Sequence, residues 1–331
     1  MSNVPVSIVI PTYNGKSLLE QYLASVLEAV HTYPGKSEVI IVDDRSQDDT
    51  VLFLKDKYPE VCVIQNHVNK GFGETVNFGV KKSQCDVILL LNNDVEVNVN
   101  FIFPLVRHFE SPKVFAVSSK SISTFEEIDG NSKEFNESII KLTFNQGILG
   151  IHQASRFDPS SQFNYVCTIS HACGGFSAFD KNKFIQLGCF DDLYSPFYWE
   201  DADICYRAWK KGWYVLYEPE SVVFHQRNST VGQVFHEKRI LRIVNRNKFF
   251  FNWKNLTDED LLRDHALYLN NYIRDINIPD EDMTKIGFYE AMKSMLSVLK
   301  KRKEQNIGFC RTDREVIELS GNVDVGSLQI Y

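Results

Sequence analysis

Val6-Ser7-Ile8-Val9-Ile10-Pro11-Thr12-Tyr13-Asn14 is a β-branched apolar run that breaks at a proline and ends on polar residues. A continuous run of this length, with no alternation, fits a strand buried on both faces of a parallel sheet. Downstream, Leu18, Leu19, Tyr22, Leu23, Val26, Leu27 and Val30 recur every 3.6 residues, which predicts a helix from Ser17 to about His31 with Ser17 as its cap. Pro34-Gly35 ends that helix. The alternation then repeats: strand Glu38–Val42, a helix opened by Asp48 and Asp49, strand Val61–Gln65, helix Glu74–Lys82 and strand Val87–Leu91. Strands and helices of this size in strict succession imply right-handed crossovers and an α/β, doubly wound, mostly parallel sheet.

Ligands of such sheets sit beyond the carboxyl ends of the strands. Pro11-Thr12-Tyr13-Asn14, Asp43-Asp44-Arg45-Ser46 and Asn92-Asn93-Asp94 all fall there. Asp43-Asp44 reads either as a helix-capping turn or as a carboxylate that accepts the imide N–H of a uracil-like base. Asp94, at the end of the most hydrophobic strand, is either a loop acid or the place where Mg²⁺ or Mn²⁺ is held against a diphosphate. Trp199-Glu200-Asp201-Ala202-Asp203 puts three carboxylates at a helix start behind the aromatic stretch Tyr194–Tyr198. One acid suffices for a cap, so three beside aromatic rings point to a polar site with an apolar wall, suited to a general base. His225 follows another strand, Ser221-Val222-Val223-Phe224, where packing is the ordinary role and metal ligation requires Asp94 nearby.

Composition narrows the class. Hydrophobic residues make up 44% and charged residues 24%, ordinary globular usage, so a packed core is expected. The net charge of −7 argues against nucleic acid as a partner. Seven cysteines with no C-x-x-C fit a reducing compartment better than a disulfide framework or a zinc site. The first residues carry no basic segment ahead of their apolar run, and no run approaches the ~18 apolar residues of a membrane span. The expected location is cytoplasmic, with peripheral attachment at the inner face of the cell membrane as the variant. From about Thr124 to Asn164 the pattern weakens, and the stretch reads as a variable excursion over one face. After residue 230 the segments turn helical and charged.

Lys238–Lys254 combines six basic residues with Phe249-Phe250-Phe251 and Trp253. It reads as a helix packing its aromatics on the rest of the protein, ahead of an interfacial helix on anionic lipid. A homo-oligomer is left open.

Taken in order, Pro11-Thr12-Tyr13-Asn14, Val42-Asp43-Asp44-x-Ser46, Asn69-x-Gly71-Phe72 with Asn77-x-Gly79, Leu91-Asn92-Asn93-Asp94, Gly174-Gly175-Phe176, Trp199-Glu200-Asp201-x-Asp203 with Arg207 and Gly212, and Pro219-x-Ser221-x-Val223-x-His225 resemble family 2 glycosyltransferases, in particular the bacterial rhamnosyl- and galactofuranosyltransferase-like branch. The resemblance covers about Val4 to Thr230. It implies a GT-A fold, a catalytic domain over 1–230 with a helical C-terminal extension over 231–331, and an inverting transfer of sugar from a nucleoside-diphosphate sugar to a hydroxyl of a glycan or lipid-linked glycan, in cell-surface polysaccharide or other glycan assembly. By the same resemblance Tyr13 packs on the nucleobase and Asp44 binds it, with Pro11, Asn14, Asn77, Asn92 and Asn93 around the donor. Asp94 and His225 hold Mn²⁺ or Mg²⁺, with His225 tilting the choice to manganese. Asp201 is the base, and Gly174, Gly175, Trp199 and Glu200 shape the acceptor pocket. Asn92 departs from the family's D-x-D-type motif, whose first position is acidic. That departure keeps a non-catalytic sugar-nucleotide or glycan-binding relative as the alternative. A nucleotidyltransferase or a dinucleotide-dependent oxidoreductase would need a glycine-rich loop after the first strand, and Pro11-Thr12-Tyr13-Asn14-Gly15 is not one.

Overall fold

All seven residues of Val6–Thr12 are buried in the computed structural model, where they form strand β1. The structure describes residues 4–126, 132–153, 163–225, 236–274, 282–305, 307–328 and 330–331. Helix α1 (Lys16–Thr32), β2 (Ser37–Asp43), α2 (Thr50–Lys57), β3 (Cys62–Gln65), α3 (Phe72–Lys82) and β4 (Val87–Leu91) follow as the alternation predicts. Two details differ. Gly15, not Ser17, is the N-cap of α1, because the chain turns there against Thr12 Oγ1 and Asn93 Nδ2, which stand 2.1 and 2.5 Å from where a Cβ would be. The second helix begins at Thr50, whose N–H is accepted by Asp48 Oδ1 at 3.1 Å.

Strands β3, β2, β1 and β4 pair in parallel in that order. The chain then adds β5 (Val95–Val97), α4 (Ile102–Val106), β6 (Val114–Glu126), β7 (Ser132–Asn136), β8 (Ile140–Asn145), β9 (Ile148–Gln153), β10 (Cys167–Thr168) and β11 (Phe176–Asp180). Helices α5 (Lys181–Gln186) and α6 (Glu200–Lys210) precede β12 (Tyr214–His225). Strand β11 lies antiparallel between β4 and β6, and β12 pairs in parallel with the far side of β6. The sheet is therefore mixed. The stretch read as a variable excursion over one face carries β7, paired with β6, and the β8–β9 hairpin. Its strands are short, and the Asn, Ser, Asp and Gly around them obscure the alternation that Ile140, Leu142 and Phe144 of β8 carry.

Alternate residues of β1 serve two faces. Ile8 and Ile10 join Leu19 and Leu23 of α1 in one core, whereas Val9 joins Val76 and Val80 of α3 in the other. The second core is the larger. It continues through Trp199, Tyr206 and Trp209 into Phe249, Phe250, Phe251 and Trp253 of α7 (Glu237–Asn255). Helices α8 (Glu259–Ile273), α9 (Met283–Lys293), α10 (Met295–Gln305) and α11 (Asp313–Leu319) complete the C-terminal part. Residues before 226 and after 235 thus contribute to the same core. The aromatics of 238–254 are buried in protein, so they offer no face to a lipid surface. Among the described residues no helix is long and apolar enough to cross a membrane.

Gly79 shows how tightly α3 is laid on the sheet. A Cβ there would stand 2.4 Å from Val9 Cγ1 and 2.8 Å from Val42 Cγ2. Gly79→Ala should lower the unfolding free energy by about 1–3 kcal/mol in urea titration, with an unchanged m-value, although alanine is the better helix former.

Candidate active site at the strand ends

Strand pairing assembles the first half of the site. His225, the last residue of β12, pairs antiparallel with Val95 of β5, and this register sets it beside Asp94. Its Nε2 lies 3.4 Å from Asp94 Oδ1, and both atoms are buried with no hydrogen-bond partner. On the other side of the ring, Nδ1 meets Glu137 Oε1 at 2.7 Å, and the same oxygen accepts from Ser121 Oγ at 2.7 Å. Burial works against charge on the imidazole, but the Asp94 and Glu137 carboxylates on its two sides outweigh it and raise its pKa to about 9.

A buried carboxylate oxygen and a buried imidazole nitrogen, convergent and unsatisfied, make a mixed pair that fits a divalent cation of the Mn²⁺ type. Glu137 fixes the ring from behind, as carboxylates do for metal-bound histidines. Binding a cation there would displace the proton from His225. Among the described residues no group of three or more His, Cys, Asp or Glu converges on one point, so remaining ligands would come from water or substrate. Glu137 escapes sequence reading because it lies in the patternless stretch, 88 residues from His225.

The nucleotide side is more committed internally than expected. Asp44 is buried, and Oδ1 accepts from Asn66 Nδ2 and the Lys70 N–H, Oδ2 from the Gly71 N–H, each at 2.8 Å. It thereby shapes the turn into α3, and one lone pair of Oδ2 is left over. The unsatisfied buried oxygen here is Asp43 Oδ1, whose sister Oδ2 holds Ser46 N–H and Gln65 Nε2. Tyr13 is half-buried at the end of β1, where Pro11 pairs with Val42. Asn14 ties its loop to the next, donating its N–H to Ser46 Oγ and accepting from the Gln47 N–H. Asn93 donates to Thr12 Oγ1 at 2.8 Å.

The Asn77 amide exchanges hydrogen bonds with the backbone of Phe190, at 2.8 and 2.9 Å, and so clamps that segment.

The Gly174-Gly175 segment joins the two halves. Gly174 N–H donates to Asp201 Oδ2 at 3.3 Å, and Gly175 O accepts from the Asn92 N–H at 2.8 Å. A Cβ on Gly175 would meet the Asn92 side-chain amide nitrogen at 2.6 Å, so the missing side chain makes room for Asn92. Trp199 also differs from expectation: its ring is turned inward, 5.0 Å from Phe251, while the neighbouring Tyr198 is the exposed aromatic. Tyr198 and Trp199 both have positive φ, 69° and 81°, and this double bend swings the chain into α6 with Glu200 and Asp201 at its first turn.

Helix α7, unassigned by the motifs, holds that bend. Asn247 Nδ2 reaches the carbonyls of Tyr194, Phe197 and Tyr198 at 2.9–3.0 Å. Lys254 Nζ sits between Asp191 and Asp203 at 2.7 and 2.8 Å, all fully buried. Asp203 also accepts from Arg207, Tyr194 and Asn255. Burial opposes the Asp203 charge, but Lys254 and Arg207 outweigh it and hold its carboxyl below the usual range. Asp203 is a structural ion, not a spare base.

The profile of glycosyl transferase family 2 matches residues 7–188, more than half of the chain. The chain belongs to glycosyl transferase family 2. Mouse (Mus musculus) polypeptide N-acetylgalactosaminyltransferase 6 is 22% identical over 88% of this chain and 53% of its own length. The poly-beta-1,6-N-acetyl-D-glucosamine synthase of Staphylococcus epidermidis is 24% identical over 70% of this chain and 52% of its own. The chain thus spans about half the length of these curated relatives. Among solved structures, GalNAc-T7 with UDP, GalNAc and Mn²⁺ superposes with a TM-score of 0.65 at 18% identity, over 95% of this chain and 56% of that one. TarS residues 1–349 of S. aureus with UDP-GlcNAc gives 0.56 at 12%, over 96% and 90%. These likenesses establish the GT-A fold, and none of them singles out the rhamnosyl- or galactofuranosyltransferase-like branch.

The family member's α6 depends on Lys254, whose loss leaves buried Asp203 with Arg207 as its one cation and buried Asp191 with the partly exposed Lys301. Lys254→Met should lower the unfolding free energy by about 3–5 kcal/mol. The stability that Asp203 contributes is present above about pH 4 and lost as pH falls further, because its folded pKa lies below the ordinary 3.9. Urea midpoints at pH 7 and pH 3 should therefore differ less in Lys254→Met than in the wild type.

Proposed function

We propose that this chain transfers a sugar from a nucleoside-diphosphate sugar to an acceptor hydroxyl, with inversion at the anomeric carbon. One observation carries the proposal. Asp94 and Asp201, acids with different tasks, lie on separate segments linked through the Asn92 N–H to Gly175 carbonyl bond and the Gly174 N–H to Asp201 Oδ2 bond. Asp94 and His225 would hold the cation, and Tyr13 with Asp44 the nucleobase, through the free lone pair of Asp44 Oδ2. Asp43 Oδ1 is a further acceptor at the same strand end. A divalent cation, when bound, supplies positive charge against the diphosphate.

Asp201 is half-exposed where Glu200 and Asp203 are buried, so it is the acid of the motif that an acceptor can reach. Its carboxylate takes the acceptor's O–H proton as the acceptor oxygen bonds to the anomeric carbon. The bond from that carbon to the diphosphate oxygen breaks, and the nucleoside diphosphate leaves with the bonding pair. Attack opposite the leaving group inverts the configuration. The relatives' names support nucleotide sugars as donors and glycan assembly, including polysaccharide, as the setting. A cytoplasmic or peripheral location and a lipid-linked acceptor belong to the same proposal.

The alternative, a non-catalytic binding relative, rests on Asn92. Its amide packs against Gly175, so the neutral residue there has a structural reason that leaves Asp94 and Asp201 intact.

Asp201→Asn keeps the shape and removes the base. Transfer should fall by about 10²–10⁴ while nucleotide affinity stays near normal. Product NMR on the wild type should show the anomeric configuration opposite to the donor's. Wild-type turnover by Asp201→Asn, or a retained configuration, would refute the assignment.

A further inference from the structure

Helix α3 starts where the two halves of the site meet. Ahead of it, Asp44 holds the turn by accepting from the Lys70 and Gly71 N–H groups, each at 2.8 Å. The next N–H, that of Phe72, goes instead to the Pro196 carbonyl at 3.2 Å. Gly71 has a φ of 83°, and a Cβ there would stand 3.0 Å from that carbonyl oxygen and 3.3 Å from Pro196 Cα. The turn therefore lies directly on the segment that leads into the acidic motif.

The Phe72 side chain makes a second tie. Its ring stacks on Phe190, with centroids 6.2 Å apart, and covers the bare face of Gly174, where a Cβ would meet Phe72 Cε1 and Cζ at 3.3 Å. Gly174 in turn donates its N–H to Asp201 Oδ2 at 3.3 Å. One residue thus touches both the chain ahead of Asp201 and the backbone that hydrogen-bonds its carboxylate.

We propose that Phe72 is a positioning residue that couples nucleotide occupancy at Asp44 to the place of Asp201. The proposal rests on the glycosyltransferase reading and adds how the donor side of that site governs the base. A nucleobase N–H arriving on Asp44 Oδ2 shares an oxygen that already holds the Gly71 N–H, so binding bears directly on the turn. A planar peptide joins Gly71 to Phe72, so a displaced turn moves the hydrogen bond to Pro196 and the ring over Gly174 together. A general base works only within hydrogen-bond reach of its proton, and a misplacement of about 1 Å can cost about 10²-fold in rate. By linkage the coupling is reciprocal: whatever the acidic motif holds in its working position favours nucleotide at Asp44 by the same factor.

The test uses the full chain with para-fluorophenylalanine in place of the buried Phe197, beside Pro196, and reads its fluorine resonance. Calorimetry with UDP and GDP in Mn²⁺ runs alongside. Saturating nucleotide should shift the resonance in the wild type. Phe72→Leu keeps the N–H and loses the ring. Phe72→Pro also deletes the N–H, at the first residue of α3, where proline is well tolerated. Both should bind nucleotide with near wild-type affinity, while the shift shrinks in the first and vanishes in the second. Turnover of UDP-N-acetylglucosamine or GDP-mannose should fall by about 10- to 100-fold in Phe72→Leu. A residue that merely stabilised the fold would lower the melting temperature and leave the nucleotide-induced shift intact.

Asp44→Ala supplies an arm without nucleotide. Releasing the Lys70 and Gly71 N–H groups should by itself move the Phe197 resonance, and move it less when Phe72→Leu is also present. Nucleotide that binds the wild type without moving the resonance, or that moves it equally in the Phe72 variants, would overturn the proposal and leave the glycosyltransferase reading standing. Should Phe72→Pro fail to fold, Phe72→Leu decides. Binding of neither nucleotide sinks the glycosyltransferase reading and, with it, the nucleotide's part in the coupling; the tie through Phe72 then stands or falls on Asp44→Ala.

Discussion

A single buried ammonium, Lys254 of α7, holds the acidic motif in place. It lies between Asp191 and Asp203, both fully buried, and Arg207 and Asn255 complete the coordination of Asp203. Four buried charges on three segments are costly to dehydrate and tolerable only while all stay paired. The constraint fixes α6 against the C-terminal helix, and with it the bend at Tyr198 and Trp199 and the placement of Asp201. Asn247, on the same helix, holds the carbonyls ahead of the bend. The helices after residue 236 thus act as a frame for the acidic motif, and their aromatics form the wall on which Trp199 rests.

The parallel half of the sheet was readable because its strands are buried on both faces and need no alternation. Val6–Ile10, Glu38–Val42 and Val87–Leu91 appear in the structure within one or two residues of their expected bounds. The antiparallel half was harder. Strands β7 to β9 are short, and although Ile140, Leu142 and Phe144 of β8 alternate with polar residues, the Asn, Ser, Asp and Gly around them obscure the signal. Glu137, the carboxylate behind His225, stands in that stretch and belongs to no motif, so only pairing in three dimensions reveals it.

Motif residues proved readable as a set and less so one by one. Strand-end position brought Asp94 and His225 together and put Asp44 and Tyr13 at neighbouring strand ends. It could not tell a ligand contact from a scaffold contact. Asn77 clamps the Phe190 backbone, Gly175 leaves room for Asn92, and Trp199 faces the core, because each answers a local packing demand that spacing does not encode. Asp203 illustrates the same point from the other side: three acids in four residues divide into a buried structural ion, a buried carboxyl whose pKa burial raises, and one half-exposed carboxyl.

The account stands on the two unsatisfied atoms at the strand ends, Asp94 Oδ1 and His225 Nε2, being the protein's share of a cation site for a nucleoside diphosphate. A crystal grown with Mn²⁺ and UDP or GDP, with anomalous data collected at the manganese edge, tests this most directly. The account predicts one anomalous peak about 2.0–2.4 Å from both atoms, with diphosphate oxygens on its open side. A nucleotide bound with its cation elsewhere, and His225 still beside Asp94 with no ion between them, would contradict it.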